Sequence, residues 1–400
     1  MTQEQLAETL GVTFAAVSKW ETGRGMPNME SLQLMAEFFG VTVDELLRAE
    51  EIITITGTGD FTVGGDSRKS NSIFNNELEK QGGDIHFTMR NMRDILLADD
   101  LTIVNFEGTL TESTYVPPEK RENQFLFSAP PEYAAMLSEN GVEAAALANN
   151  HVMDHGEEAY QDTQNALRDA GLVVSTGEEV AVVEVKGVKI ALLSYLCIDR
   201  YDQLWDRVPA DIAAAKAEDP IVIVNFHWGN EKDYSPTETQ IMLGRGAVDA
   251  GADLVIGHHS HRINPIEEYK GKYICYSLGN FSFAGNTRPD DMDTYIFQQR
   301  FRVYPDGVVE NEGFRIIPCS ISSQEEVNDF KPTLKDAQGA QDGNALAEAL
   351  APEQAPAEAQ NADAAVVELI APQYTKIQAS AEVDGMSITV FASGMSNPVI

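Results

Sequence analysis

Four hundred residues exceed what one hydrophobic core usually serves, so the chain is expected to hold two or three folded units with linkers. Its 28 basic and 63 acidic side chains give a formal net charge of -35, which repels nucleic acid, polyanions and anionic membrane at long range unless a local basic patch or bridging cations intervene. No apolar run nears the roughly 18 residues of a spanning helix, and MTQEQLAETLG has neither the basic start nor the apolar centre of a secretory signal, so the chain as written reads as cytoplasmic.

Residues 2–48 carry four short helical segments, QEQLAETL, FAAVSKWETG, SLQLMAEFF and VDELL. Thr2, Thr13 and Asn28 or Ser31 stand where helices need N-caps, and Gly11, Gly23 and Gly40 stand where they end. Leu6, Leu10, Val17, Trp20, Leu32, Met35, Phe38, Phe39, Leu46 and Leu47 supply a small apolar core. The runs TQEQLA, VSKWETG and PNMESLQLMA resemble the helix-turn-helix domain of the Cro/repressor (XRE) family. That resemblance implies DNA as a partner, met by the helix Phe14 to Trp20 with Thr13, Ser18 and Lys19 toward the bases. Two departures stand against it: the family's first helix, ahead of TQEQLA, is missing, and the helix offers few of the Arg, Gln or Asn side chains that read base edges.

Glu50 and Glu51 lead directly into the β-branched run IITIT, which places a boundary near residue 50. From there apolar strands alternate with amphipathic helices, the pattern of an α/β domain over 51–321. Strands are predicted at IITIT, DLTIVNF, AAALAN, VVEVKGVKIALLSY, PIVIVNF, ADLVIG, YICYSLG and TYIFQQRFRVY, and helices at MRNMRDILL, PPEYAAMLSEN, EEAYQDTQNALRDA and TETQIMLGRGAVDA. Cys197, Cys275 and Cys319 are far apart and lie within or beside apolar runs, so they read as buried free thiols. Residues 322–372, rich in Ala, Gln, Glu, Asp and Pro, read as a disordered acidic linker, and 373–400 as a β-hairpin turning at Asp384 and Gly385.

Polar residues able to bind a ligand gather at the strand ends. Asp60 follows ITIT; Asn105 and Glu107 end LTIVNF; Asn149, Asn150 and His151 follow AALA; His227 and Glu231 follow IVIVNF; His258, His259 and His261 follow ADLVI; Asn280 follows YICYSL. Six of the seven histidines lie in or beside these motifs, leaving only His86 outside. Because the carboxyl edges of strands in an open α/β sheet form one rim, these groups are expected to converge on one crevice. Mixed carboxylate, imidazole and amide donors suit Mn, Fe, Zn or Mg, and Glu107 is the candidate carboxylate to bridge two such ions. Ions of this kind acidify bound water and clamp a phosphoryl group, which is hydrolytic chemistry.

The successive motifs GDFTVGGD, DDLTIVNFEGTL, LANNHVMDHG, NFHWGNE, DAGADLVIGHHSH and YKGKYICYSLGNFSF resemble the CapA family of capsule or poly-γ-glutamate synthesis proteins. The resemblance implies a four-layer α/β/β/α metallophosphoesterase-like sandwich. It also implies one or two divalent ions, and a phosphorylated or poly-γ-glutamate-type substrate. Asp60 is implied as a first-metal ligand, Glu107 as the bridge, Asn150, His227 and His259 as the second site, and His261 as a further first-site ligand. His151 is implied to protonate the leaving group, with Asn150 and Glu107 beside it in catalysis, while Asn149, Glu231, His258 and Asn280 line the second layer or the substrate. Thr62 stands where a partner histidine is expected, weakening the first site, and Ser260 stands for a proline, implying a looser turn. The chain therefore reads as a metal-dependent hydrolase; the alternative is a ligand-responsive regulator whose α/β domain senses and whose helical domain binds DNA.

Overall fold

The computed structural model describes residues 2–335 apart from 23, 48–49, 67, 69–71, 119, 121–123 and 199–200, together with 341–342, 375–383 and 386–394. The chain divides into two compact units, Met1–Ile52 with Arg302–Glu310, and Ile53–Phe301 with Asn311–Ile400. No helix among the described residues is long and apolar enough to cross a membrane.

The small unit has the four expected helices, Gln3–Leu10, Phe14–Glu21, Met29–Phe39 and Val43–Leu47. Their starts are fixed by side-chain caps: Thr2 and Gln5 form a reciprocal capping box, Thr13 accepts from the Ala16 amide, and Asn28 from the Ser31 amide. Gly11 and Gly40 end the first and third helices in the left-handed conformation that glycine adopts at least cost. Gly23 lies outside the described residues. The core is smaller than the sequence implies: Ala7, Leu10, Val17, Leu32, Met35 and Ala36 are buried, while Phe14, Phe38, Phe39 and Leu47 are exposed. Helical periodicity marks an apolar stripe, but eight-residue helices are too short to cover all of it.

The large unit is a sandwich of two sheets. One, of nine strands, runs in the order Thr333–Leu334, Val309–Ser320, Asp293–Val303, Glu51–Thr62, Leu101–Phe106, Ala144–Ala146 and Val173–Ser175; Asn280–Phe283 also pairs with Glu51–Thr62, and Gln341–Asp342 with Val309–Ser320. The other, of eight strands, runs Thr375–Val383, Met386–Gly394, Ile266–Tyr269, Lys272–Cys275, Leu254–His258, Ile221–Trp228, Val188–Cys197 and Ala181–Val185. Period-two alternation gives each strand one face toward helices and one toward the opposite sheet. Val104 and Phe106 join a core built with helix Gly156–Asp169, through Leu167. Val222, Val224, Phe226 and Trp228 join a core with helices Leu204–Glu218 and Glu238–Ala250, through Ile212, Leu243 and Ala247. The intervening positions, Ile103 and Asn105 on one strand and Ile223, Asn225 and His227 on the other, therefore face the space between the sheets. There the layers interlock, since a Cβ added at Gly57 would lie 2.9 Å from Ile256 Cδ1, the side chain that fills its place. Helices outside and two sheets inside make the four-layer α/β/β/α arrangement.

All three cysteines are free and buried. The α/β unit runs past residue 321, however: Ser322, Asn328, Asp329 and Phe330 are buried, and the Phe330 ring packs 5.8 Å from Phe74. One aromatic anchor in a polar stretch outweighs the average composition that reads as linker. Of the rest of that linker, only Gln341–Asp342 is described, as the short strand paired with Val309–Ser320. The expected terminal hairpin is present as antiparallel Thr375–Val383 and Met386–Gly394; its turn residues Asp384 and Gly385 lie outside the described residues.

One half-buried carboxylate makes the fold's stability depend on pH. Burial, with Glu143 and Asp100 adding like charge, pushes Asp99 up to about 7, while the Thr102 hydroxyl donates to it at 2.7 Å. In the unfolded chain this group loses its proton near pH 4, so between about pH 4 and 7 the folded state binds more protons and stability falls as pH rises. Asp99→Asn keeps an acceptor for Thr102 and removes this loss. Thermal unfolding at pH 8 is expected to show a midpoint raised by about 2–4 °C per kcal/mol regained, with the advantage shrinking toward pH 4. A difference independent of pH would refute the assignment.

Candidate metal centre

The bridge between sequence and site is the end of each central strand. Asp60 pairs in register with Asn105 on one side and Asn280 on the other, all in the first sheet. His227 and His258 are register partners in the second sheet. The rim expected of one open sheet is thus shared by two, whose carboxyl ends face each other across the sandwich. Two glycines let the backbones meet: a Cβ at Gly59 would fall 2.3 Å from the Gly279 carbonyl oxygen, and one at Gly257 would fall 2.1 Å from that of Tyr276.

Asp60, Glu107 and His227 are buried and offer ligand atoms within 4.8 Å of one another. Asn105 organises them: its Nδ2 donates to Asp60 Oδ1 and Glu107 Oε1, each at 2.9 Å, and lies 3.3 Å from His227 Nδ1. His227 Nε2 sits 2.7 Å from Asn150 Oδ1. With Nε2 donating to that amide oxygen, Nδ1 keeps its lone pair toward the carboxylates, a tautomer assigned from the hydrogen-bond network. The Asn150 amide oxygen, with a second lone pair, stands beside His227 at this end of the centre.

Asp60 also holds the histidine turn. His258 Nδ1 lies 3.1 Å from its Oδ1, and the His259 amide (3.3 Å) and His261 Nδ1 (3.1 Å) meet its Oδ2. His261 Nδ1 is also 2.9 Å from Asn280 Oδ1. His258 is thus part of the Asp60 cluster and buried with it. His259 and His261 have φ of +92° and +53°, a left-handed conformation costing a non-glycine residue about 1–3 kcal/mol. The turn is not loosened by Ser260: this buried residue accepts from the Arg262 amide at 3.2 Å, donates to the Arg262 carbonyl at 2.8 Å, and its own carbonyl accepts from Lys232.

On the third side, His151 Nδ1 is 2.9 Å from Asp154 Oδ2, and its Nε2 is 4.0 Å from Glu107 Oε2. Asp154 also accepts from Lys120 Nζ at 2.8 Å and from the Phe127 amide at 2.9 Å. Asn149 is turned inward, to Asn105 and the Phe106 carbonyl, and Glu231 is exposed at the edge, where its charge acts on His259 and His261. Sequence reasoning placed Asn105 among the converging strand-end residues without giving it a role, and missed Asp154, Lys120 and Phe127. Asn105 had a usable signal, lying near the end of the strand Leu101–Phe106 and two positions before Glu107.

The electrostatics fit a missing positive charge. Burial raises the Asp60 carboxyl, but hydrogen bonds from His258 and His261 outweigh it and hold it well below the usual carboxylate range. Burial and the adjacent Asp60 charge push Glu107 well above that range. Burial, then His259, depresses His227; burial, then His261, brings His259 down to about 4. Burial also works against His261, yet Asp60 outweighs it and the net shift is upward. Glu107 Oε2, His258 Nε2, His259 Nδ1 and Thr62 Oγ1 are buried with no hydrogen-bond partner among the described residues. Orphaned polar atoms, the depressed imidazoles of His227 and His259, and a carboxyl whose ionisation is disfavoured beside another together suit a hard or borderline divalent cation.

A two-sheet α/β sandwich with a buried carboxylate–imidazole centre, joined to a helix-turn-helix unit, defines the class of this protein. The family model described as "Bacterial capsule synthesis protein PGA_cap" matches residues 54–284, more than half of the chain, and the chain belongs to that family. A helix-turn-helix model matches residues 1–46. The capsule biosynthesis protein CapA of Bacillus anthracis is 32% identical over 268 residues, 61% of this chain and 63% of that protein's length. The transcriptional activator BcrR of Enterococcus faecalis is 60% identical over 58 residues, 14% of this chain and 28% of that protein. Among solved structures, a phosphatase from Mycoplasma pneumoniae aligns at a TM-score of 0.42 and 14% identity, over 70% of this chain and 96% of its own.

Calorimetric titration with Mn tests the centre directly. Glu107→Ala and His227→Ala are expected to abolish high-affinity binding, and Asn105→Ala, which removes only the orienting amide, to weaken it about 10–100-fold. Unchanged affinity in all three would place any metal elsewhere.

Proposed function

We propose that the α/β unit is a metal-dependent hydrolase of phosphoesters serving capsule or poly-γ-glutamate metabolism. The observation that carries this is the buried group of Asp60, Glu107 and His227, with ligand atoms within 4.8 Å, beside His151 at a solvent-reached edge. Asp60, Glu107 and His227 would hold a divalent ion (Mn, Fe, Zn or Mg). His261, with Nδ1 3.1 Å from Asp60 Oδ2, and His259, whose ring lies 4.6 Å from that of His227, are further imidazoles beside the set. The chemistry such an ion supplies is polarisation of a phosphoryl oxygen and acidification of water.

The chain's own residues do the rest. Asn105 fixes both carboxylates, Asn150 fixes the His227 tautomer, and the Asp60 hydrogen bonds hold the histidine turn. Asp154 keeps the proton of His151 Nδ1 and so sets the ring orientation, leaving Nε2 as the atom that hands a proton to the departing oxygen. Near-complete burial of Asp60 and Glu107 keeps bulk water from screening them. A γ-glutamyl amide is the second candidate bond, since it also leaves through a protonated heteroatom.

Protein supplied with Mn is expected to hydrolyse small phosphoesters, with poly-γ-glutamate run in parallel. His151→Ala should lower kcat by about 10²–10⁴ while leaving Mn affinity in place, and Glu107→Ala should lose both. Equal turnover in wild type and both variants would overturn the mechanism.

The helix-turn-helix match and the identity to BcrR favour a second role, DNA binding by residues 2–48 through the exposed Lys19 and the helix around it. A gel shift with the upstream region of its own gene should weaken steeply with salt, and Lys19→Glu should suppress it. Absence of a shift at low salt would remove this role.

A further inference from the structure

The buried centre reaches solvent along one edge. Asp60, Glu107, His227 and His258 have side chains at most 2% exposed, whereas His151 keeps 14% and His261 16%. Each of these two edge imidazoles lies against a phenyl ring: Phe127 is 4.8 Å from His151 at 63°, and Phe283 is 4.6 Å from His261 at 55°. The two phenyls meet edge to face at 5.4 Å. Phe125 then lies within 7° of parallel to Phe127, at 6.4 Å, and is 57% exposed. Rings thus run without a break from the proton-donating imidazole out to the surface.

We propose that this aromatic ladder is a subsite for a planar ring carried on the alcohol side of the phosphoester, with Phe125 as its outer stacking face. The inference rests on the hydrolase reading for one point, that His151 marks the side on which the alcohol leaves. The ring class follows from the chemistry of the wall. Phenyl faces carry negative quadrupole charge, so they stack offset on a flat π-system and disfavour the carboxylates of an acidic polymer. A chain of net charge -35 adds to that bias. Stacking needs no hydrogen-bond readout, so the ladder would accept several planar rings, a nucleobase among them.

Binding and turnover separate this inference from the reading beneath it. The non-hydrolysable 5′-methylenephosphonates of adenosine and of ribose differ only in the base, and their dissociation constants for Mn-supplied protein are read by calorimetry. Wild type is expected to bind the adenosine compound on the order of tenfold tighter, and both Phe125→Ala and Phe125→Leu to lose that preference with unchanged circular dichroism. Equal binding of the two compounds by wild type overturns the subsite. So does a preference kept by Phe125→Leu, which would show plain apolar contact instead of ring stacking. Hydrolysis of adenosine 5′-monophosphate and ribose 5-phosphate is followed separately: no turnover of either, with the binding preference intact, supports the subsite and overturns the hydrolase reading.

Discussion

The carboxylate of Asp60 is the interaction on which the rest of the site depends. It leaves the carboxyl end of a strand in one sheet, yet two of its partners, Asn105 and Asn280, belong to that sheet by register, while the histidine turn it holds belongs to the other. An isolated buried carboxylate would cost several kcal/mol and would shed its charge. Here four donors, Asn105, His258, the His259 amide and His261, offset the loss of water and keep it ionised. The neighbouring Glu107 bears the consequence: beside a fixed negative charge, and with one oxygen unpartnered, it is forced toward its protonated form. A divalent cation held between the two carboxylates would relieve both penalties.

Much of this arrangement was legible in the sequence, because it follows from periodicity. Apolar strands with a period of two, each stopping at Asp, Asn, Glu or His, identify both the layer and the end of the strand where chemistry gathers. What the pattern does not encode is which sheet a strand joins. LTIVNF and IVIVNF look alike as runs, yet they lie in different sheets, and Asn105 and His227 meet only because the sheets stack with those ends together. Asp154, Lys120 and Phe127 were hidden for a related reason: they act on His151 from one loop turn and from a connecting segment that carries no periodic signal. The same blindness to single residues made 322–335 read as linker, although buried Phe330 and the hydrogen bonds of Asn328 to the Phe283 and Asn286 carbonyls fasten that segment to the core.

In the helical unit the local signals were stronger than the tertiary ones. Thr2, Thr13 and Asn28 cap where their spacing requires, because a cap is a contact between residues three apart and needs nothing from the rest of the fold. The apolar set was overestimated for the opposite reason. Burial of Phe38 or Phe39 depends on what packs against the helix, and the sequence of the helix alone does not state it. Thr13 shows how structure narrows a functional assignment: its hydroxyl is engaged with the Ala16 amide, which leaves Lys19 as the freer polar contact on that helix.

The histidine turn shows why rigidity and opening occur together. Two excursions into positive φ, at His259 and His261 on either side of Ser260, each cost energy that an isolated loop would recover by relaxing. The turn cannot relax, since Asp60 grips it from beneath, Ser260 ties it to Arg262, and Lys232 holds the Ser260 carbonyl from the adjoining loop. His258 is thereby driven inward and His261 toward the edge, and within the same turn His259 is depressed by burial while Asp60 raises His261. A flexible loop would average these differences away. The strained one fixes which imidazoles stay neutral inside the centre and which side of it faces water, and His151, held by Asp154 on the opposite strand end, stands on that same side.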